Sequence, residues 1–225
     1  MAESIAIIDK TRMVRLQAFS GQGISRVGLR LVSSAVTGRR RVTLKGVVFT
    51  VFLEMLEEQY SADTVDAVLD GADLPSGGVY TAVGTYSHDE MVALVGALSK
   101  HVSVSVPDLL RGYGEYLFGY FVKAYPDLVN AHADAFALLT GVEKVIHAQV
   151  RKLYPDAELP RFEIERPGDD TLVMNYHSAR HFDDLCEGLI KGCIAHFSEN
   201  IALSRKTLGR GDERVEQFVL TNNRR

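Results

Sequence analysis

Apolar residues between positions 47 and 60 recur at Val48, Val51, Phe52, Met55 and Leu56, the spacing of one face of a helix. Ser61 is placed to start a second, short helix over 62–70, and 71–78 reads as loop. Ser87-His-Asp-Glu90 has the form of a capping box opening a helix to about Lys100. Pro107 suits the first turn of the next, whose stripe is Leu109, Leu110, Tyr113, Leu117 and Phe121. Pro126 marks a break. A long helix is then predicted from about Ala133 to Tyr154, with Leu139, Val142, Ile146, Val150 and Leu153 inward and Gly141 as a weak point.

After Pro155 the period changes from helical spacing to alternation. Phe162–Arg166 and Thr171–Ser178 read as a hairpin turning at Gly168-Asp-Asp170. Phe182–Phe197 reads as a helix with Leu185, Leu189, Ile190 and Ile194 inward. Ile201–Lys206 and Val215–Thr221 form a second strand pair around Gly209-Arg-Gly211. A helical N-terminal part followed by a four-stranded antiparallel sheet with one helix across it is an α+β architecture.

Composition adds bounds. The 225 residues are 46% apolar and 24% charged, ordinary values for a soluble globular protein, and no apolar run approaches a membrane span. Two cysteines, Cys186 and Cys193, stand about two helical turns apart on one predicted helix, too far for a bridge. That usage suits a reducing cytoplasm. Charge is uneven. Residues 1–43 hold eight basic and two acidic residues, and the remainder holds 17 basic and 27 acidic. An acidic body argues against nucleic acid as a partner. The basic leader lacks the continuous apolar core of a secretory signal.

The candidate chemistry lies in the second half. Tyr176, Ser178 and Arg180 alternate along a predicted strand, so two hydroxyls and a guanidinium converge on one face. Such a set suits a carboxylate. Twenty-nine residues earlier, His147 lies at the edge of its helix's apolar stripe. A buried neutral His is an axial ligand for haem iron, and haem carries two propionates. Taken singly, a helical His is ordinarily structural, and Tyr-x-Ser-x-Arg is an ordinary polar sheet face. Their joint occurrence inside a longer pattern is what carries weight.

That pattern resembles the haem nitric oxide/oxygen-binding (H-NOX) family, related to the haem domain of soluble guanylate cyclase. The resemblance runs from about Leu44 to about Thr221. It rests on Lys45-Gly-Val-Val-Phe-Thr-Val-Phe52, Gly78-Val-Tyr-Thr-Ala-Val83, Ile146-His147, Leu153-Tyr-Pro-Asp-Ala-Glu-Leu-Pro160 and Tyr176-x-Ser178-x-Arg180, in conserved order and spacing. It implies a haem held between the helical part and the sheet part, with His147 as proximal ligand. It also implies that Tyr176, Ser178 and Arg180 hold a propionate, that Pro160 presses on the macrocycle, and that Val48, Phe52 and Leu189 line the distal side. There is no Cys-x-x-Cys-His, so the expected cofactor is non-covalent haem b. Family members usually begin with Met before Lys-Gly, where this chain has Leu44. The domain is accordingly expected over 44–225. Residues 1–43 are then either a flexible appended leader or the product of an upstream start, with a leucine codon near Leu44 the true one.

The resemblance also bears on the gas. Oxygen-binding members carry a Tyr nine residues after the clamp Tyr, and Leu185 stands there; Phe52 stands where they have a hydrogen-bonding Trp. Without a donor the pocket loses its selective stabilisation of polar Fe–O2. The expectation is a cytoplasmic sensor of nitric oxide, not an enzyme; an O2 sensor or carrier on the same fold is the alternative. In the family the switch is mechanical: nitric oxide weakens the iron–His bond opposite it and releases the helix. The chain contains no kinase, cyclase or phosphodiesterase motif. Its expected partner is a separate histidine kinase or a diguanylate cyclase/phosphodiesterase.

Overall fold

A computed structural model of the chain describes residues 42–209, 211 and 214–223. The basic leader expected over 1–43 therefore lies outside the described residues, apart from its last two positions.

The first element among the described residues is one that hydropathy did not reveal. Strand β1 (Thr43–Lys45) pairs antiparallel with β2 (Thr85–Ser87), Leu44 opposite Tyr86. Three residues are too few to display an alternation. Between the two strands lie α1 (Gly46–Gln59) and α2 (Ala62–Asp70), and after them α3 (His88–Val102), α4 (Val106–Ala124) and a single turn, α5 (Pro126–Asn130). Pro126 both ends α4 and opens α5, since proline is tolerated in a first turn. Ser61 and Ser105 cap α2 and α4, accepting from the N–H groups of Thr64 and Asp108 at 3.2 and 3.3 Å.

Helix α3 starts at the expected Ser87, which accepts from the N–H of Asp89 at 3.3 Å, but the predicted capping box does not close. Glu90 is buried instead. Its carboxylate accepts from Ser76 and, at 2.8 Å, from Tyr80, pinning the loop that follows α2. A carboxylate taken out of water needs such donors more than an exposed helix end needs a second cap. Phe49, Phe52, Met55, Leu56, Met91, Leu94 and Tyr113 fill the core of this half.

The second half is a sheet of four antiparallel strands: β3 (Arg161–Glu165), β4 (Thr171–His177), β5 (Ile201–Leu208) and β6 (Val215–Asn222), in spatial order β3-β4-β6-β5. Tyr176 stands opposite both Phe162 and Glu216. The buried side chains of β4 and β6 alternate, Leu172, Met174 and Tyr176 with Phe218 and Leu220. They share a core with Cys186, Ile190 and Cys193 of α8, which spans Asp183–His196. The two cysteines are free, buried thiols and serve here as small apolar residues. They take inward places predicted for Leu189 and Ile194, which are half-buried. Glu216 is 1% exposed and is held by Arg205, Arg214 and Thr207 at 3.0, 2.7 and 2.6 Å. Among the described residues no helix is long and apolar enough to cross a membrane.

Candidate functional site

His147 does not lie inside one continuous helix. Helix α6 (Ala135–Gly141), capped by Asp134, gives way to a π-helical stretch, Val142–Ile146, before α7 (His147–Leu153). The N–H of His147 reaches back five residues to the carbonyl of Val142. One wider turn rotates every later side chain relative to the α-helical phase. The apolar stripe predicted for 133–154 therefore breaks: Leu139 is buried, whereas Leu153 is 57% exposed.

The His147 side chain is only 11% exposed, and its Nδ1 lies 3.1 Å from Oε2 of Glu143. The same oxygen accepts from the backbone N–H of Phe162 at 3.2 Å, and Oε1 accepts from Arg151 at 2.9 Å. Burial pushes the Glu143 carboxyl up, but hydrogen bonds from Arg151, His147 and Phe162 more than offset it, so it stays ionised at neutral pH. Burial lowers the His147 pKa below its ordinary value, opposed by Glu143 and aided by the charges of Arg151 and Arg180. The imidazole is thus neutral near pH 7. Its contact with an ionised carboxylate is attractive only if Nδ1 carries the proton, which leaves the lone pair on Nε2. That is the tautomer required to bind a metal through Nε2.

The Phe162 ring connects His147 to the next group, with its centroid 5.8 Å from that of His147 and 5.4 Å from that of Tyr176. Tyr176, Ser178 and Arg180 do come together, although not by strand alternation alone. Strand β4 ends at His177, so pleating orients only Tyr176. Arg180 arrives through a turn in which its N–H donates to Oγ of Ser178 at 3.2 Å. Its guanidinium donates to the carbonyls of Thr43, at 2.9 Å, and Glu158, bridging β1 to the loop before β3. Burial raises the Tyr176 phenol above its ordinary value, with the nearby Cys186 adding to it and Ser178 opposing it, so the hydroxyl stays protonated. Ser178, Arg180 and Pro160 line a cavity of about 430 Å³ together with Arg151 and His177.

The four apolar residues expected on the distal side meet in the helical core. Phe52 and Leu185 are buried there, and Val48 and Leu189 pack against it; Leu189 also touches the core under the sheet. The Phe52 ring meets that of Tyr113 edge-on at 5.1 Å, and the Tyr113 hydroxyl donates to the backbone carbonyl of Val48. His177 alternates away from Tyr176, with its Nε2 3.5 Å from Glu163, and His181 is exposed.

The Haem-NO-binding family model matches residues 45–205. The chain belongs to the H-NOX family. It is 35% identical to the H-NOX protein of K. algicida, whose Fe(II) unliganded crystal structure superposes with a TM-score of 0.75 over 81% of this chain and 98% of that one. It is 38% identical to the H-NOX of Shewanella woodyi, solved in solution in the Fe(II)CO state with IWP-051 bound, with a TM-score of 0.69 over 79% of this chain and 93% of that one. An S. oneidensis H-NOX protein in the Fe(II)NO state, 24% identical, matches at a TM-score of 0.74 over 80% of this chain and all of the other and supports the fold alone. Comparison with curated proteins finds no match.

H-NOX domains are haem-binding gas sensors, and the donor set of this chain fits a haem. It offers one buried neutral imidazole, a seryl and an arginyl donor on a cavity wall, and the buried Tyr176 hydroxyl next to them. Among the described residues no three His, Cys, Asp or Glu side chains converge as a bare metal ion's cage would need. Sequence reasoning missed Glu143 and Phe162. The four-residue spacing of Glu143 and His147 was the available signal for the first; the second shows only in the strand register.

Proposed function

We propose that this H-NOX domain binds haem b non-covalently through His147, senses nitric oxide, and discriminates against O2. When bound, ferrous haem, held by His147, would supply a coordination position for a diatomic gas. Everything else falls to the protein. Burial keeps His147 neutral, and Glu143 orients it through Nδ1. Tyr176, Ser178 and Arg180 would donate hydrogen bonds to a propionate, and Pro160, on the cavity wall with Ser178 and Arg180, would press on the macrocycle.

One observation carries the gas preference. A pocket that selects O2 needs a hydrogen-bond donor aimed at the gas, whereas nitric oxide gains little from one. Leu185 and Phe52 have none to give, and the hydroxyl of Tyr113, whose ring packs on Phe52, is spent on the Val48 carbonyl. Tyr113 is fully buried, and turning its hydroxyl towards a ligand would break that bond.

His147 is the first residue of α7 and is joined through Glu143 to β3, so displacement of α7 is felt at the sheet edge. The output of this cytoplasmic sensor passes in trans to a histidine kinase or a diguanylate cyclase/phosphodiesterase that prefers one of the two positions of α7. Without such differential affinity no signal would result. The axial assignment is tested by His147→Ala, which should lose haem or recover its spectrum only with added imidazole. Unchanged ligation in that variant would overturn it.

A further inference from the structure

We infer that Glu143 is the positioning residue of the axial ligand: its carboxylate selects the His147 tautomer, strengthens that imidazole as a donor to iron, and anchors it to strand β3. The inference rests on the haem-ligand reading of His147.

Residues four apart on a helix are neighbours, and an exposed pair so placed contributes only a few tenths of a kcal/mol. The Glu143–His147 contact is of another kind. The carboxylate is enclosed, its side chain 24% exposed, and both oxygens are occupied. Oε2 is shared between the imidazole Nδ1 and the Phe162 N–H, so one atom links the helix that carries His147 to the strand register opposite Tyr176. Oε1 faces Arg151, which keeps the group charged. The π-helical stretch contains Glu143 and ends immediately before His147, so the irregular turn and the pair are one local device.

The chemical consequence is specific. A neutral acceptor on Nδ1 would fix orientation alone, whereas a carboxylate draws the Nδ1 proton and moves electron density to Nε2. The imidazole becomes more anionic in character and the iron–nitrogen bond stronger. Arg151 moderates this by sharing the negative charge. Glu143 therefore sets how firmly α7 is held, and so how readily a ligand on the opposite face releases it.

The test is resonance Raman spectroscopy and potentiometry on the haem-loaded ferrous protein with Glu143→Gln, which keeps size and acceptor but removes the charge. The iron–histidine stretch should move to lower frequency and the midpoint potential should rise, with haem affinity falling about tenfold to a hundredfold. Arg151→Gln leaves Glu143 in place and unshared, so its stretch should move the opposite way; it also serves if the first variant folds poorly. His147→Ala, run alongside, should abolish the band. A band unmoved by both substitutions but abolished in His147→Ala would overturn the role of Glu143 and leave the ligand assignment standing. A band, or its absence, that ignores His147 would overturn both.

Discussion

Gly188 of α8 lies against Gly114 of α4 so closely that neither has room for a Cβ. A methyl on Gly188 would come within 2.1 Å of the Arg111 carbonyl oxygen and 2.9 Å of the Gly114 Cα; one on Gly114 would meet the Leu185 carbonyl oxygen at 2.4 Å. The obstruction is backbone, so no side chain can swing away. Gly188→Ala should therefore force the helices apart and destabilise the protein by about 1–3 kcal/mol, seen as a lower urea midpoint with an unchanged slope. Because Leu185 and Leu189 ride on α8 beside this crossing, the variant should also alter gas-binding spectra. A wild-type midpoint would mean that the helices do not cross this tightly.

Leu185→Tyr places a phenol in the helical core beside Phe52. If Leu185 faces the gas, the variant should bind O2 reversibly where the wild type does not, detected by spectra in air-equilibrated buffer. No gain of O2 binding would remove Leu185 from the distal pocket.

Arg180→Ala removes the bonds to the Thr43 and Glu158 carbonyls together with the proposed propionate donor. Loss of one charge-assisted hydrogen bond is worth about 1.5–3 kcal/mol, so haem affinity should fall about tenfold to a hundredfold. A haem-transfer assay to an excess of a tighter acceptor protein measures this. Transfer at the wild-type rate would show that Arg180 only ties β1 to the loop before β3.

The candidate site residues were more legible in the sequence than their supports. His147 and the Tyr176, Ser178, Arg180 trio stood out as candidates only inside the longer pattern shared with the family, since each motif alone reads as structural. The long helices and the sheet could be found because each repeats its period several times. The π-helical stretch leaves no period of its own, yet it breaks the stripe that would have turned Leu153 inward. Strands β1 and β2 are too short to alternate, yet β1 supplies the carbonyl that Arg180 holds. Glu90 matched a helix-start pattern and was drawn away by Ser76 and Tyr80, partners close in space and supplied by the preceding loop.

Acid should weaken the sheet through Glu216. Burial pushes this carboxyl up, but Thr207, Arg205 and Arg214 more than offset it and hold it below the ordinary 4.5. A depressed carboxyl stabilises the fold above its unfolded pKa and loses that contribution as pH falls through its folded one. Asp183, also paired with Arg214, is raised by burial and acts with the opposite sign. The comparison is therefore between wild type and Glu216→Gln. Urea unfolding should show a deficit of about 2 kcal/mol in the variant at pH 7, shrinking as the pH drops below 4.5. A deficit independent of pH would assign the loss to packing rather than charge.

The most direct test of the account is the absorption spectrum of the purified ferrous protein, recorded anaerobically, then in air, then with nitric oxide. A haem b protein ligated by His147 in an apolar pocket should begin five-coordinate, stay unchanged on brief exposure to air, and shift with nitric oxide to a five-coordinate nitrosyl. A stable oxy spectrum, or no haem at all, would contradict it.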